Sequence, residues 1–302
     1  MVYWRSVFLV LMGACSYGVL AVFMKFAFIA GFSPYELSGA QLFFGSVLMS
    51  IIALLLSRER FTFRHVFVLL PASVMMACTS IFYHQAVSEV SASLAIVLLF
   101  QFTWIGVLIE AAVNRKKPSP QQLLSLLLLG VGTVFASGLV ETGIQQISLK
   151  GLICGLLSGF TYAMVIFFSG RLGVGMDPYL RSAVSITSAA VLLSLVYPPV
   201  FLLNGRLWDG LLTYGILVAC FGSLIPILCL TVGVPRIGSG LATILCAVEL
   251  PTVVFLSSSI LLEPVSLAQW SGVTMILVAI ALPQLKVRQL FSTLRTSKAK
   301  SP

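Results

Sequence analysis

Ten apolar stretches, separated only by short polar breaks, occupy almost the whole of this chain: 5–30, 34–56, 64–87, 91–113, 119–140, 149–170, 178–203, 209–233, 238–260 and 267–286. At 1.5 Å of rise per residue, each can carry a helix across ~30 Å of hydrocarbon. Only 9% of the 302 residues are charged, whereas a soluble domain of ordinary composition carries about 25%. The expected fold is therefore an all-α polytopic membrane protein of ten transmembrane helices. A water-soluble enzyme is excluded, and so is a disordered chain, which requires low hydrophobicity and high charge. Helix starts are written into the breaks: Ser33-Pro34, Asp177-Pro178 and Ser119-Pro120 each pair an N-cap residue with proline at the first helical position, and Ser266 precedes the tenth stretch.

The net charge of +9 would suggest nucleic acid on a soluble domain, but its distribution argues otherwise. With ten spans both termini share one side. That side takes the loop cations from Arg5 and Arg58 through Arg115, Lys116 and Lys117 to the basic tail, while the opposite side holds Lys150 and Arg206 and Lys25 stays inside the first span. By the positive-inside rule both termini are expected in the cytoplasm. The first stretch is too long for a signal-peptide core and is read as a retained helix. The six cysteines all lie inside apolar runs with no C-x-x-C pair, so no metal site, disulfide framework or cofactor is expected.

The two halves of the chain echo each other. V-S-E-V-S-A-S-L-A-I-V-L-L (87–99) sits over V-P-R-I-G-S-G-L-A-T-I-L-C (234–246), and at the same offset Ser119 meets Ser266 and Gln122 meets Gln269. S-Y-G (16–18) echoes T-Y-A (161–163). Corresponding helices then lie five apart, and an odd number of spans per repeat inverts the second repeat in the membrane. Expected boundaries are 1–143 for the first repeat, 144–287 for the second and 288–302 for a basic cytoplasmic tail.

On these residues the chain resembles the drug/metabolite transporter superfamily, EamA type. The likeness is carried by Tyr17-Gly18 followed by Lys25, by S-A-S-L-A-I-V-L-L, by R-I-G-S-G-L-A-T-I-L-C-A-V-E-L-P (236–251) and by L-L-E-P-V-S-L-A-Q-W-S-G (261–272). It departs from the family pattern at Lys116, where Glu is common opposite Glu263, at Trp104, opposite Pro251, and at Gln41, where Arg is frequent. The resemblance implies outward transport of small metabolites such as amino acids and their analogues, with aromatic amino-acid exporters the nearest fit.

Ionisable and polar groups at membrane depth supply the candidate site, because a charge at a helix centre costs about 2.5–3.5 kcal/mol on insertion scales. Glu249 lies near mid-bilayer in the ninth span beside Pro251; it is a substrate-amine or proton site, or else a hydrogen-bonded structural residue at a kink. Lys25 either meets a substrate carboxylate and gates, or snorkels to headgroups. Tyr83 and His84 line a cavity or form an interfacial belt. Gln101 and Trp104 are expected on the pathway, with Phe100 and Trp104 sharing one helical face at i, i+4. Tyr17 and Tyr162 occupy equivalent places in the two repeats and are expected to form a symmetric cavity wall.

These readings converge on a secondary transporter working by alternating access around a central cavity, exporting amino acids or related amphipathic compounds across a bacterial inner membrane. The alternatives are a facilitator, or an importer of a purine, sugar or nucleotide sugar, and a membrane sensor. An intramembrane enzyme is disfavoured, since H-E-x-x-H and paired membrane Asp are both missing from the sequence. Expected partners are a small-molecule substrate and the lipid bilayer, with no nucleic acid, and the monomer is the expected functional unit.

Overall fold

The computed structural model describes residues 2–90, 92–142, 148–260, 262 and 265–298. Its helices are α1 (Val2–Ile29), α2 (Pro34–Leu56), α3 (Phe63–Glu89), α4 (Ala92–Leu99), α5 (Phe102–Asn114), α6 (Pro120–Ala136), α7 (Leu139–Thr142), α8 (Leu149–Ser169), α9 (Pro178–Val196), α10 (Leu212–Ala219), α11 (Ile225–Ile237), α12 (Ser239–Cys246), α13 (Glu249–Ile260) and α14 (Leu267–Lys298). By length and apolarity eight continuous or nearly continuous helical segments can cross a membrane, and Pro120–Ala136 and Leu267–Pro283 are shorter apolar helices that complete the expected ten. Glu263, the repeat boundary at 143/144 and the end of the tail at 299–302 lie outside the described residues.

The caps anticipated from sequence are formed. The Ser33 side chain accepts from the Glu36 N–H while Glu36 reaches back to the Ser33 N–H at 2.8 Å, and Pro34 occupies the first turn. Ser119 with Gln122 and Ser266 with Gln269 build the same reciprocal box at the starts of α6 and α14. Repeat-related positions thus use the same local chemistry, which supports the sequence alignment independently of its apolar matches.

Packing follows the repeat. α3 lies against α8, and its counterpart α11 lies against α1; α2 pairs with α9, α5 with α12 and α6 with α14. Taken as whole spans, each contact is either its own mate or has one under exchange of the halves, as expected for two five-helix repeats related by a pseudo-two-fold axis in the membrane plane; at the level of half-helices, α5–α12 has no comparable α4–α13 mate. Small residues permit the closest approaches. A Cβ at Gly18 would lie 2.6 Å from the Thr252 side chain, so α1 is seated directly on α13. The outer surface is apolar: Leu54, Leu127 and Leu195 are 85%, 69% and 77% exposed, as a lipid-facing shell requires.

Among the described residues several spans are shorter or less regular than expected, α6 ending at Ala136 and α9 at Val196, and three interruptions lie deeper in the bundle. The fourth span breaks at 100–101 and the ninth at 247–248. Residues 100 and 247 correspond at the repeat offset, so the breaks are symmetry mates. The eighth span contains a π turn over Cys220–Leu224. Two charged side chains near span ends are engaged inside the bundle. Arg181 is 4% exposed in α9 and donates to the Ser169 and Thr231 carbonyls at 2.5 and 3.1 Å, pinning α8 and α11 together. Glu110 accepts from the Ser239 hydroxyl at 3.2 Å and from the Gly240 N–H, capping α12.

Candidate functional site

Where helices break, backbone carbonyls lose their partners, and in hydrocarbon another group must meet them. At the first break the Gln101 N–H turns to the Leu98 carbonyl, which releases the Val97 carbonyl; the Gln101 side-chain amide then donates to it at 2.8 Å. In the π turn the Ile225 N–H bonds to the Cys220 carbonyl, which releases the Phe221 carbonyl, and Ser16 Oγ of α1 donates to it at 2.7 Å. The Gly222 carbonyl would ordinarily meet the N–H of residue 226, but residue 226 is proline. Gln41 Nε2 of α2 donates to it instead, at 2.9 Å. The π turn is therefore held by side chains from α1 and α2, and the break at 100–101 by the side chain of its own Gln101.

Between them lies a cavity of about 160 Å³. Its lining comes from the second half of α1, the first half of α2, the second half of α3, the Tyr162 and Val165 positions of α8, and the irregular segments with their flanks. It therefore occupies the half of the membrane remote from the N-terminus and reaches to the middle. Glu249, Tyr17 and Tyr162 form its floor, with Tyr83, His84 and Gln41 above them. Beneath the floor come packed apolar side chains, among them Val10, Ala14, Phe102, Leu230, Val234 and Ile244, and a separate polar cavity near the terminal side is lined by Glu110, Asn114, Lys116 and Gln122.

The aromatic wall has defined geometry. Tyr17 and Tyr162 meet edge to face with centroids 6.1 Å apart, and Phe102 abuts Tyr162 at 4.7 Å. Tyr83 lies 6.1 Å from the His84 ring, and at the far rim Tyr35 lies between His84 and Tyr197, 5.9 and 5.2 Å from them. His84 is fixed on both edges. Its Nδ1–H donates to the Ser80 carbonyl at 2.5 Å, and the neutral ring leaves Nε2 to accept from the Ser38 hydroxyl.

Two polar groups on the floor are unsatisfied. The Tyr162 hydroxyl is buried with no hydrogen-bond partner, and the Glu249 carboxylate has no hydrogen-bond or ion-pair partner among the described residues. Glu249 shares the cavity wall with Tyr17, Tyr83 and Tyr162. Buried polar groups are ordinarily satisfied, so the Tyr162 hydroxyl calls for a partner that the protein's own side chains do not supply.

Of the expected site residues, Tyr17, Tyr83, His84, Tyr162 and Glu249 converge on this cavity. Gln101, Trp104 and Lys25 are not among its lining, and the expectation for the first two is corrected. The break at 100–101 ends the i, i+4 relation that placed Phe100 and Trp104 on one face: Phe100 is 4% exposed and Trp104 42%. Trp104 turns outward, its indole N–H donating to Gln101 Oε1 at 2.7 Å, and Gln101 serves the broken backbone. Sequence reasoning missed Gln41, Ser38, Ser80, Thr79 and the Gly222-Ser223 turn as cavity wall. A signal was present for the turn, since Gly222 stands four residues before a proline.

No curated protein matches the chain. Among solved structures 29 chains match; one, described as "Crystal structure of protein", is 15% identical, covers 94% of this chain and 98% of its own, and superposes with a TM-score of 0.78. At that identity the likeness shows the fold alone. The profile of the EamA-like transporter family matches residues 4–138 and again 149–283, one match for each repeat. The chain accordingly belongs to the EamA-like transporter family and is a membrane transporter of the drug/metabolite type.

Proposed function

We propose that this transporter is a secondary carrier of small amphipathic metabolites, amino acids or their relatives, which bind in the central cavity and cross by alternating access between the two repeats. The observation that carries the reading is the cavity floor: an unpartnered carboxylate and an unpartnered tyrosine hydroxyl, walled by aromatic rings, at the meeting point of two discontinuous helices. Discontinuous helices at a repeat interface are where secondary transporters bind substrate. The apolar packing beneath the floor would make this the state facing away from the termini. With the termini cytoplasmic, as the loop charges suggest, the state is outward-facing, and release to that side corresponds to export from the cell.

The test is reconstitution of the purified chain into liposomes, followed by flux of radiolabelled amino acids, their amine derivatives, purines and sugars, with and without a pH gradient. Saturable flux of at least one compound, abolished by Glu249→Gln or by filling the cavity with Ser223→Phe, is the expected result. Absence of flux for the entire panel from a folded, correctly inserted preparation would overturn the reading.

A further inference from the structure

The cavity's charge and hydrogen-bond inventory narrows the substrate class, on the premise that this cavity is the transport site. Among the described residues Glu249 is the only formally charged side chain in the lining, which contains no lysine or arginine. Donors that might have met a carboxylate are directed into the protein. Gln41 Nε2 is on the Gly222 carbonyl, Thr79 Oγ1 donates to the Met75 carbonyl at 2.7 Å, and Ser38 Oγ is on the His84 ring. His84 meets both of its partners as the neutral ring. What faces the cavity at its floor is a carboxylate, which only accepts, and the tyrosine hydroxyls, with Tyr162 lacking any partner and Tyr17 and Tyr83 on the same wall, whose oxygens accept as readily as they donate.

An alkylammonium group has three donors, no acceptor and one positive charge, so it complements this set. The carboxylate of a zwitterion meets no cationic side chain in this lining, and bringing it beside Glu249 would add repulsion in a low-dielectric site. The tyrosine faces add cation–π attraction and a surface for an aromatic body. We infer that the cavity selects compact aromatic monocations, arylalkylamines above all, and discriminates against the amino acids that carry the same side chain plus a free carboxylate.

Binding of phenethylamine, phenylalanine methyl ester and phenylalanine to the purified full chain, by isothermal titration in detergent, tests this directly, with proteoliposome flux of the same three compounds alongside. The amine and the ester, both monocations, are expected to bind at least tenfold more tightly than phenylalanine. Glu249→Gln should weaken the amine at least tenfold while leaving the elution profile and melting of the protein intact. Tyr162→Phe, which removes only the unpartnered hydroxyl, should weaken it severalfold and serves if the Glu249 variant does not fold. Phenylalanine bound or carried as well as its ester, or failure of both monocations to bind, would overturn the inference. If amino acids or sugars are nevertheless carried, the transporter reading survives it; if nothing in the panel is carried, both fall.

Discussion

The π turn offers the sharpest test of how this bundle holds its irregular centre. Pro226 deprives the Gly222 carbonyl of its helical donor, and Gln41 supplies one from α2 at 2.9 Å. Gln41→Leu keeps most of the side-chain volume but leaves that carbonyl bare. Interhelical hydrogen bonds in membranes average about 0.6 kcal/mol and reach about 1.7, while an unsatisfied buried carbonyl costs roughly 1–3 kcal/mol. The expected loss is therefore ~1–2 kcal/mol. The origin of the need is tested by repeating the substitution in a Pro226→Ala background, which restores an N–H four residues after Gly222. There Gln41→Leu should cost less than about half as much, giving a coupling free energy near 1 kcal/mol. Reversible unfolding of the four proteins in mixed micelles measures the cycle. Equal losses in both backgrounds would refute the account of Gln41 as surrogate donor for a proline-vacated bond, leaving it a cavity-lining residue only.

Other expectations follow from single contacts. Trp104→Leu should leave substrate affinity and flux unchanged, because the indole is turned away from the cavity; a tenfold loss of affinity would return Trp104 to the pathway. A Cβ at Gly159 would meet the Leu98 and Leu99 carbonyl oxygens at 2.9 Å, backbone that has little freedom to withdraw, so Gly159→Ala is expected to destabilise by about 1–3 kcal/mol, read from the same unfolding measurement. At the end of α3, beyond its apolar span, Lys150 at 2.9 Å and next the Ser148 hydroxyl hold the Glu89 carboxyl below its ordinary range. A carboxyl depressed in the folded protein contributes stability above its unfolded-state pKa and loses it as pH falls through the native one. The melting-point gap between wild type and Glu89→Gln should thus be present at pH 7 and close as the pH drops below the usual carboxylate range; a gap independent of pH would remove the ion pair as its cause.

The span count, the helix starts and the repeat were legible because each rests on chemistry local to a few residues. Twenty apolar residues in a row have one use in a membrane, and Ser-Pro-x-Gln caps a helix wherever it occurs. Glu249 and the paired Tyr17 and Tyr162 were legible for a related reason: polarity at depth and recurrence across the repeats are both visible in a string of letters. The breaks at 100–101 and 247–248 were not. Leu98-Leu99-Phe100-Gln101 reads as ordinary apolar helix, and the interruption is made tolerable by a side-chain contact, the Gln101 amide on the Val97 carbonyl. Once the helix breaks, face relations counted along it fail, which is why Trp104 went astray. Arg181 was obscured by the same limit, since a cation one turn inside a helix reads as a loop charge until the carbonyls of α8 and α11 that receive it are known.

The repeat also indicates where function must reside. Two halves that pack by exchangeable contacts provide a scaffold whose two faces differ little in stability, and small differences suffice to favour one access state over another. Substrate chemistry cannot be exchangeable in the same way, because a mirrored second carboxylate would place two like charges in one small cavity. The sequence avoids this. At the repeat offset Glu249 corresponds to Phe102, which is fully buried against Tyr162, and Glu110 corresponds to Ser257. Glu110 caps α12 on the terminal side. Symmetry is thus kept in the helix breaks and the capping boxes, and dropped at the acidic side chains, which give the cavity its single charge and one side of the membrane a polar latch.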